Sequence, residues 1–332
     1  MLQHTIRGLA LVSALLFALL SAGAAMLSGT AHAQTYPSQP IKFIVPFTPG
    51  TGMDMIARTV GPRLAERLGQ PVVVENKPGA SGNIGADAVA KAPGDGYTLM
   101  VGANTVLIAA NLYRNVPFNP LTDLAPVSLA AWGTLLLASN PKSTINSIAD
   151  LIAQAKVRPG RINYSSPGVG TPHHMSMELL KDLTGIDILH VPYKGSAGAL
   201  TDLLSGEVSV GFVPIHVAMP HVRAGKLKAL AVGSAKRHPS APDLPTLQEL
   251  GVKGADVDMW YAFFAPKATP APVITRLNAE LRSILSGQDL KAAFDKQGMD
   301  AAASTTDDLQ ALMQRDYVRW RQVIRKANIT AD

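Results

Sequence analysis

Short apolar runs alternate along this chain with helical segments, and this alternation limits the possible folds more than any other feature of the sequence. Nine runs have the length and composition of buried strands. Strands separated by helices favour βαβ units, and therefore a mostly parallel sheet with helices on both faces. The predicted strands are Ile41–Val45, Val72–Glu75, Tyr97–Val101, Leu135–Ala138, Ile162–Tyr164, Ile188–Val191, Val208–Phe212, Ala229–Val232 and Tyr261–Ala265.

Nine strands exceed the usual sheet of about four to six, so we predict an α/β protein with two lobes. In this arrangement the chain leaves the first sheet, builds a second one and returns. We predict that residues 34–131 and 260–332 form lobe 1, and residues 132–259 form lobe 2. The predicted helices are Met53–Leu68, Ile84–Lys91, Ile148–Ala155, Pro172–Leu183, Gly198–Ser205, Ala218–Ala224, Leu244–Leu250, Ala271–Leu285, Leu290–Gln297 and Thr306–Asn328.

Residues 1–33 have the three parts of an export signal. Arg7 supplies the positive charge, and the largely apolar run Leu9–Leu20 follows. This run is shorter than the about 20 residues that span a membrane, so we predict cleavage rather than an uncleaved anchor. Ala31-His32-Ala33 is a cleavage site of the small-x-small type, and the mature chain would begin at Gln34. Because the chain contains no cysteine, disulfides and a lipid-anchored cysteine are excluded.

Charge and motifs argue against nucleic-acid binding and against cofactor chemistry. The 30 Lys and Arg residues are interspersed with 24 Asp and Glu residues, and aromatic residues make up 5% of the chain. A nucleic-acid-binding stripe is therefore not expected. Two Gly-x-Gly segments lack the third glycine of a dinucleotide fingerprint, because His173 and Met55 stand there. The histidines lack the spacing of zinc ligands, so we predict no cofactor, no metal and no catalytic residue.

Four loops that follow predicted strands are small, polar and rich in Gly, Ser and Thr, namely residues 47–54, 102–105, 165–171 and 192–196. Ligands of open α/β sheets bind at the carboxyl ends of the strands, and the N–H groups of a helix N-terminus favour anions. Facing helix N-termini could therefore hold a ligand with two negative ends. The alternative is that each glycine only satisfies the geometry of a turn. The candidate ligand-binding residues are Phe47, Pro49, Gly50, Thr51, Gly52, Met53, Asp54, Asn104, Thr105, Ser166, Gly168, Gly170, Thr171, Tyr193, Lys194 and Gly195.

The first three loops contain no arginine, so an anion there would be held by backbone dipoles, hydroxyls and amides rather than by a bidentate guanidinium. Lys194 is the one cation nearby, and as a lysine it could equally be an exposed surface residue. Asp54 could orient a ligand-bound water or, by default, cap a helix.

The chain resembles the substrate-binding proteins of tripartite tricarboxylate transporters, the Bug family, over essentially the whole mature length. The motifs that carry the resemblance are Phe47-Thr48-Pro49-Gly50 with Asp54, Gly69-Gln70-Pro71-Val72, Glu75-Asn76-Lys77-Pro78-Gly79, Asp95-Gly96-Tyr97, His190-Val191-Pro192-Tyr193-Lys194-Gly195, Leu200–Gly206 and Ala224–Leu230. The chain departs from the family pattern at Thr51, Met53 and Val169.

The resemblance implies a periplasmic, two-lobe binding protein of type II, the Venus flytrap. It implies that loop amides and ordered waters of lobe 1 hold one carboxylate of a small mono- or dicarboxylate. The helix that starts at Gly170-Thr171 would hold the other end. The expected partners are membrane permease subunits, and we expect a monomer without enzymatic activity. Two alternatives remain: a ligand-dependent sensor or adaptor, and a hydrolase that would use Ser165 or His173.

Overall fold

The strands form two separate sheets in the structure, a computed structural model that describes residues 36–193 and 195–331. The predicted export signal therefore lies outside the described residues. From residue 39 onwards, the described residues form one compact unit. The strands of the described part are β1 (Ile41–Val45), β2 (Val72–Asn76), β3 (Thr98–Ala103), β4 (Leu124–Gly133), β5 (Leu135–Ser139), β6 (Asn163–Ser166), β7 (Leu189–Pro192), β8 (Val210–Pro214), β9 (Lys228–Val232), β10 (Met259–Pro266) and β11 (Asp300–Ala301).

Helices connect most of these strands. Those of the described part are α1 (Gly52–Leu68), α2 (Asn83–Ala90), α3 (Thr105–Leu112), α4 (Ile148–Val157), α5 (Pro172–Thr184), α6 (Ser196–Ser205), α7 (Ile215–Arg223), α8 (Ala271–Leu285), α9 (Gln288–Lys296) and α10 (Thr306–Lys326). None of the helices in this part is long and apolar enough to cross a membrane.

The first sheet has the strand order β11-β4-β10-β3-β1-β2, and the second has the order β7-β6-β8-β5-β9. The predicted α/β class with two lobes is confirmed. The expectation that the sheets are mostly parallel needs correction, because both are mixed. β10 is antiparallel to β3 and β4, and β5 is antiparallel to β8 and β9. These are the strands next to the crossings between the sheets, where the chain must reverse direction.

The edge of the first sheet at which β3 ends and the edge of the second at which β8 ends, here called the carboxyl edges, are connected by a single residue, Thr134. β4 ends at Gly133, on the edge where β3 also ends, because both strands run antiparallel to β10. β5 begins at Leu135, which pairs with Pro214 at the carboxyl end of β8. The chain returns to the first sheet between β9 and β10. Loops that follow β1 and β3 of the first sheet and β6, β7 and β8 of the second are thus directed towards the same region. The predicted domain limits themselves remain a prediction.

Each sheet carries its own core. In the first, Trp260 and Phe264 of β10 pack with Leu107 of α3 and Met313 of α10, all fully buried. The indole N–H of Trp260 donates a hydrogen bond of 2.7 Å to Asp316, so the buried polar group has a partner. Burial of each such side chain stabilises the fold by about 1.5–3 kcal/mol. The second core contains Leu136, Ala138, Leu203, Ile215 and Val232.

The structure corrects the predicted secondary structure in four places. Helix α3 and strands β4 and β11 were not predicted, and the predicted helix Leu244–Leu250 is a series of turns. In that segment Thr246 and Glu249 exchange hydrogen bonds as in a helix capping box. However, the N–H groups of Val232 and Leu247 bond to the carbonyls of Pro245 and Val232. This pairing extends the edge of the second sheet instead of forming a helix.

Candidate functional site

The first predicted loop connects the carboxyl end of β1 to the start of α1. Thr51 is the N-cap residue of α1, but its hydroxyl donates to the carbonyl of Thr48 at 3.1 Å and does not cap the helix. The Phe47 ring lies against Gly82, since an added Cβ there would be 2.9 Å from it. Pro49 and Gly50 are exposed, whereas Met53 and Asp54 are buried. The first turn of α1 therefore has no side-chain cap.

Asp54 is held by neighbours of its own lobe. Its carboxylate accepts the Gly50 N–H at 2.9 Å and the Asn76 amide at 3.0 Å, and it forms a 3.0 Å ion pair with Arg58. Burial raises the pKa of Asp54, but the hydrogen bonds from Arg58, Gly50 and Asn76 outweigh this effect, so the pKa lies below its ordinary value. The predicted capping role of Asp54 is wrong, because the N-cap residue of α1 is Thr51 and the helix has no side-chain cap bond. The contacts of Asp54 instead fix the loop, and Arg58 neutralises its carboxylate.

The second predicted loop is reduced to Asn104, which follows β3 and is the N-cap residue of α3 without a side-chain cap bond. Its N–H donates to the Trp260 carbonyl at 3.1 Å, and its amide lies 3.4 Å from the Asp258 carbonyl. Asn104 is fully buried, and its Oδ1 atom has no hydrogen-bond partner in the described part. Thr105, the first residue of α3, is also buried. A buried acceptor without a partner is costly, so Asn104 is a candidate for contact with a solute.

The third predicted loop leads from β6 into α5. Ser166 is fully buried, accepts the Gly168 N–H at 3.2 Å and lies 2.7 Å from Nε2 of His190. Thr171 caps α5, because its hydroxyl oxygen accepts the N–H of the residue at the third helical position at 3.4 Å. It also donates to the Gly168 carbonyl at 2.8 Å. This loop thus has an ordered internal network.

The fourth predicted loop leads from β7 into α6. Tyr193 donates its N–H to the carbonyl of Ser166 at 2.9 Å, and its hydroxyl donates to Asp202. Burial, together with Asp202, raises the pKa of Tyr193 to about 12. Gly195 is the N-cap residue of α6 and cannot cap it with a side chain. Lys194 lies outside the described residues.

The structure brings loops of the two sheets into contact at Gly170. A Cβ atom at this position would lie 2.4 Å from Cδ2 of Leu112 and 3.8 Å from Cγ2 of Ile108, both on α3. The φ angle of Gly170 is 76°, a conformation that favours glycine. The backbone conformation favours glycine, and a larger residue would also require the Leu112 side chain to move. The start of α5 in the second lobe therefore packs against α3, the helix that begins at Asn104.

Tyr261 of β10 is a residue at this edge that the sequence prediction missed. A Cβ atom added to Gly52 would lie 2.6 Å from its hydroxyl oxygen. The Tyr261 ring thus lies directly against the N-terminus of α1. Burial raises the pKa of its hydroxyl above the ordinary value, so the group is a neutral donor. In the sequence, Tyr261 follows Trp260 within an apolar strand, and nothing distinguishes it from a core residue.

The hydrolase alternative receives little support from the side chains. Both ring nitrogens of His173 are buried without a partner, so His173 does not bond to Ser165. The serine–histidine contact that exists joins Ser166 and His190, whose ring stacks on His174 with centroids 4.0 Å apart. Burial first, and then the neighbouring His174, lowers the pKa of His190 to about 3, which makes it a weak general base. Across the described ranges, no three His, Asp or Glu side chains converge as metal ligands would.

Comparison with known proteins gives the class of this chain. Residues 56–329 match the model of the tripartite tricarboxylate transporter family receptor. Protein BugT of Bordetella pertussis is 38% identical over 302 residues, which cover 90% of this chain and 93% of BugT. A solved R. palustris protein with adipate is 36% identical, with a TM-score of 0.79 and coverage of 89% of this chain and 99% of that one. MatC from Rhodopseudomonas palustris with bound malate is 31% identical, with a TM-score of 0.76 and coverage of 87% and 100%.

The fold and these similarities define a solute-binding receptor. The chain belongs to the tripartite tricarboxylate transporter receptor family, as the sequence motifs predicted. Members of this family are periplasmic binding proteins, and the family is a class of receptors rather than of enzymes.

Proposed function

We propose that this protein captures a small organic carboxylate between its two lobes in the periplasm and delivers it to a tripartite tricarboxylate-type permease. The export signal would be cleaved after Ala33. The adipate and malate bound to two related structures support a dicarboxylate as the ligand class. Delivery to a permease follows from the family's role in transport.

One observation carries the proposal: each of the four loops leads into a helix at the meeting carboxyl edges of the sheets, and three of these four helices lack a side-chain cap. These are α1, α3 and α6, while Thr171 caps α5. Uncapped N–H groups and the positive end of the helix dipole stabilise an anion. α1 and α3 belong to the first lobe, and α5 and α6 to the second. A dicarboxylate could therefore bridge the lobes, and it would favour their closure because only the closed state offers both sets of donors.

Two substitutions test the site. We expect Thr171→Ala and Asn104→Ala each to weaken binding of the carboxylate by about ten- to a hundredfold, the loss expected for a hydrogen bond to a charged group. The ligand is first identified by native mass spectrometry of the purified protein, and a panel that includes adipate and malate is then measured by calorimetry.

Ser147→Ala is the matched control. The Ser147 hydroxyl oxygen caps α4 as Thr171 caps α5, accepting an N–H at 3.0 Å, but it does not belong to the four loops. Ser147→Ala and Thr171→Ala each remove a helix cap that contributes about 1 kcal/mol to stability. Only Thr171→Ala should also weaken binding of the carboxylate. Unchanged dissociation constants in both site variants would refute the proposed site. Ligand uptake by cells that lack the protein, restored by the wild type but not by Thr171→Ala, tests delivery.

A further inference from the structure

A cavity of about 390 Å³ lies at the other edge of the second sheet, away from the four loops. Its lining includes Asn140, directly after β5, and Ile162 and Ser209, directly before β6 and β8. The third and fourth of the four loops follow β6 and β7, and β6 runs parallel to both β7 and β8, so the cavity and the interlobe region lie at opposite ends of the same strands. A solute in this cavity would therefore be separate from a solute between the lobes.

Three cations line the cavity, namely Lys142, Arg158 and Arg161, and no acidic side chain is part of the lining. All three residues are exposed. Within the described part, none of them forms an ion pair, unlike Arg58 or Lys181, each of which contacts a carboxylate. The positive charge at the cavity is therefore not neutralised by a direct partner.

The local structure does not use these cationic groups. Two helices, α4 and α6, end at the cavity, and cations often serve to satisfy the carbonyls of such ends. Here Nδ2 of Asn140 donates to the carbonyls of Leu203 and Leu204, at 2.9 Å each. The N–H of Gly206 donates to the backbone carbonyl of Asp202 at 3.1 Å, and the N–H of Arg158 donates to the backbone carbonyl of Gln154 at 3.0 Å. The guanidinium and ammonium groups therefore remain available to a solute.

We propose that this cavity is a second ligand site, specific for a small anion with two or three carboxylate or phosphate groups. Guanidinium groups bind both kinds of oxyanion in a bidentate manner, and three cations match two or three negative charges. The volume lies in the range of small-molecule pockets, about 300–1,000 Å³. The lining also contains Ser143, whose hydroxyl accepts the Ile145 N–H at 3.1 Å and can donate its proton to an anion. Because the cations are exposed, binding weakens as salt concentration rises.

The test is calorimetric titration of the full mature protein with citrate and, separately, with pyrophosphate at low ionic strength. Citrate represents polycarboxylates and pyrophosphate represents phosphates, so the two arms identify the source of the anionic groups. We expect saturable binding of at least one probe, weakened by at least about tenfold in Arg158→Ala/Arg161→Ala. The control is Lys156→Ala/Lys226→Ala, which removes the same charge from exposed residues outside the lining and should bind as the wild type does.

The double variant Thr171→Ala/Asn104→Ala separates this site from the interlobe region, and it should retain the binding. Thermal melting checks that each variant is folded. Three results would overturn the proposal: no saturable binding of either probe below about 10 mM, equal loss in the arginine and lysine double variants, or loss in the interlobe variant alone. None of these depends on whether the interlobe region binds a carboxylate.

Discussion

Asp258 offers a test of how the segment between the sheets is stabilised, because its carboxyl group is buried among like charges. It lies one residue before β10, where the chain re-enters the first sheet. Its carboxyl accepts a hydrogen bond from the Thr134 side chain at the other crossing, while Oδ1 has no partner in the described part. Burial, followed by repulsion from Asp256 and Asp300, raises the pKa of Asp258 to about 8, well above the usual range of an aspartate.

The raised pKa makes stability depend on pH. Between the pKa of Asp258 in the unfolded chain, about 4, and that in the folded protein, about 8, the folded state binds a proton that the unfolded state does not. The neutral Asp258 therefore contributes fully to stability below pH 4, and this contribution declines as the pH rises to about 8. The decline is about 1.4 kcal/mol per pH unit. Asp258→Asn cannot ionise and still accepts the Thr134 hydrogen bond. We therefore expect the difference in unfolding free energy, variant minus wild type, to grow by about 3 kcal/mol between pH 5 and pH 7.

Urea denaturation of both proteins at pH 5, 6, 7 and 8 measures this difference, provided that the slope against urea is unchanged. Asp243→Asn is the control, since Asp243 is an exposed aspartate of the second lobe. Its curve should stay parallel to that of the wild type. Parallel curves for Asp258→Asn as well would refute the argument, because Asp258 would then be ionised in the folded protein.

Two further predictions concern the site region. Gly52→Ala should destabilise the fold by about 1–3 kcal/mol and reduce ligand affinity, since its Cβ would lie 2.6 Å from the Tyr261 hydroxyl. Urea denaturation measures the stability, and calorimetry measures the ligand affinity. Tyr261→Phe combined with Gly52→Ala should restore part of the stability. No restoration would contradict the contact between Gly52 and Tyr261. His173, His174 and His190 have pKa values lowered to about 4, 4 and 3 by burial, so stability should fall as pH drops from about 6.5 to 4, by about 1.4 kcal/mol per pH unit for each histidine. In an acid titration followed by circular dichroism, stability should depend less steeply on pH in His174→Gln than in the wild type, whereas His221→Gln should behave as the wild type does. Equal slopes of stability against pH in the wild type and both variants would contradict this prediction.

The sequence allowed prediction of the elements whose periodicity or turns are distinctive. β1, the turn after it and the long helix α1 were predicted to within a residue, because a buried run, a Gly-rich turn and a helical pattern follow each other there. α3 was missed because its sequence, Thr105–Leu112, is apolar around nearly the whole helix and has no polar face. β4 was missed for a related reason: it is buried along almost its whole length, so the alternation of a half-exposed strand is absent.

The candidate site was predictable only as a set of loops. Gly, Ser and Thr after strands indicate where a chain can turn and expose N–H groups, and the structure locates these loops at the carboxyl edges. The contact between Gly170 and Leu112 joins residues far apart in sequence, and so does the contact between Gly52 and Tyr261. Such pairs follow from the crossing of the chain between two sheets, which local patterns do not specify.

The first lobe has an arginine, Arg58, next to the proposed anion site, but its guanidinium pairs with a carboxylate of the same lobe. Arg58 lies one turn into α1, and its guanidinium is paired with Asp54 and also donates to Asn76 at 3.1 Å. To bind a carboxylate, it would have to break a pair that lowers the pKa of Asp54. Binding by neutral N–H dipoles avoids this cost, and it also avoids the strong bidentate contact that slows release. The proposed delivery to a permease would require rapid release, so the pairing of Arg58 within the lobe agrees with that proposal.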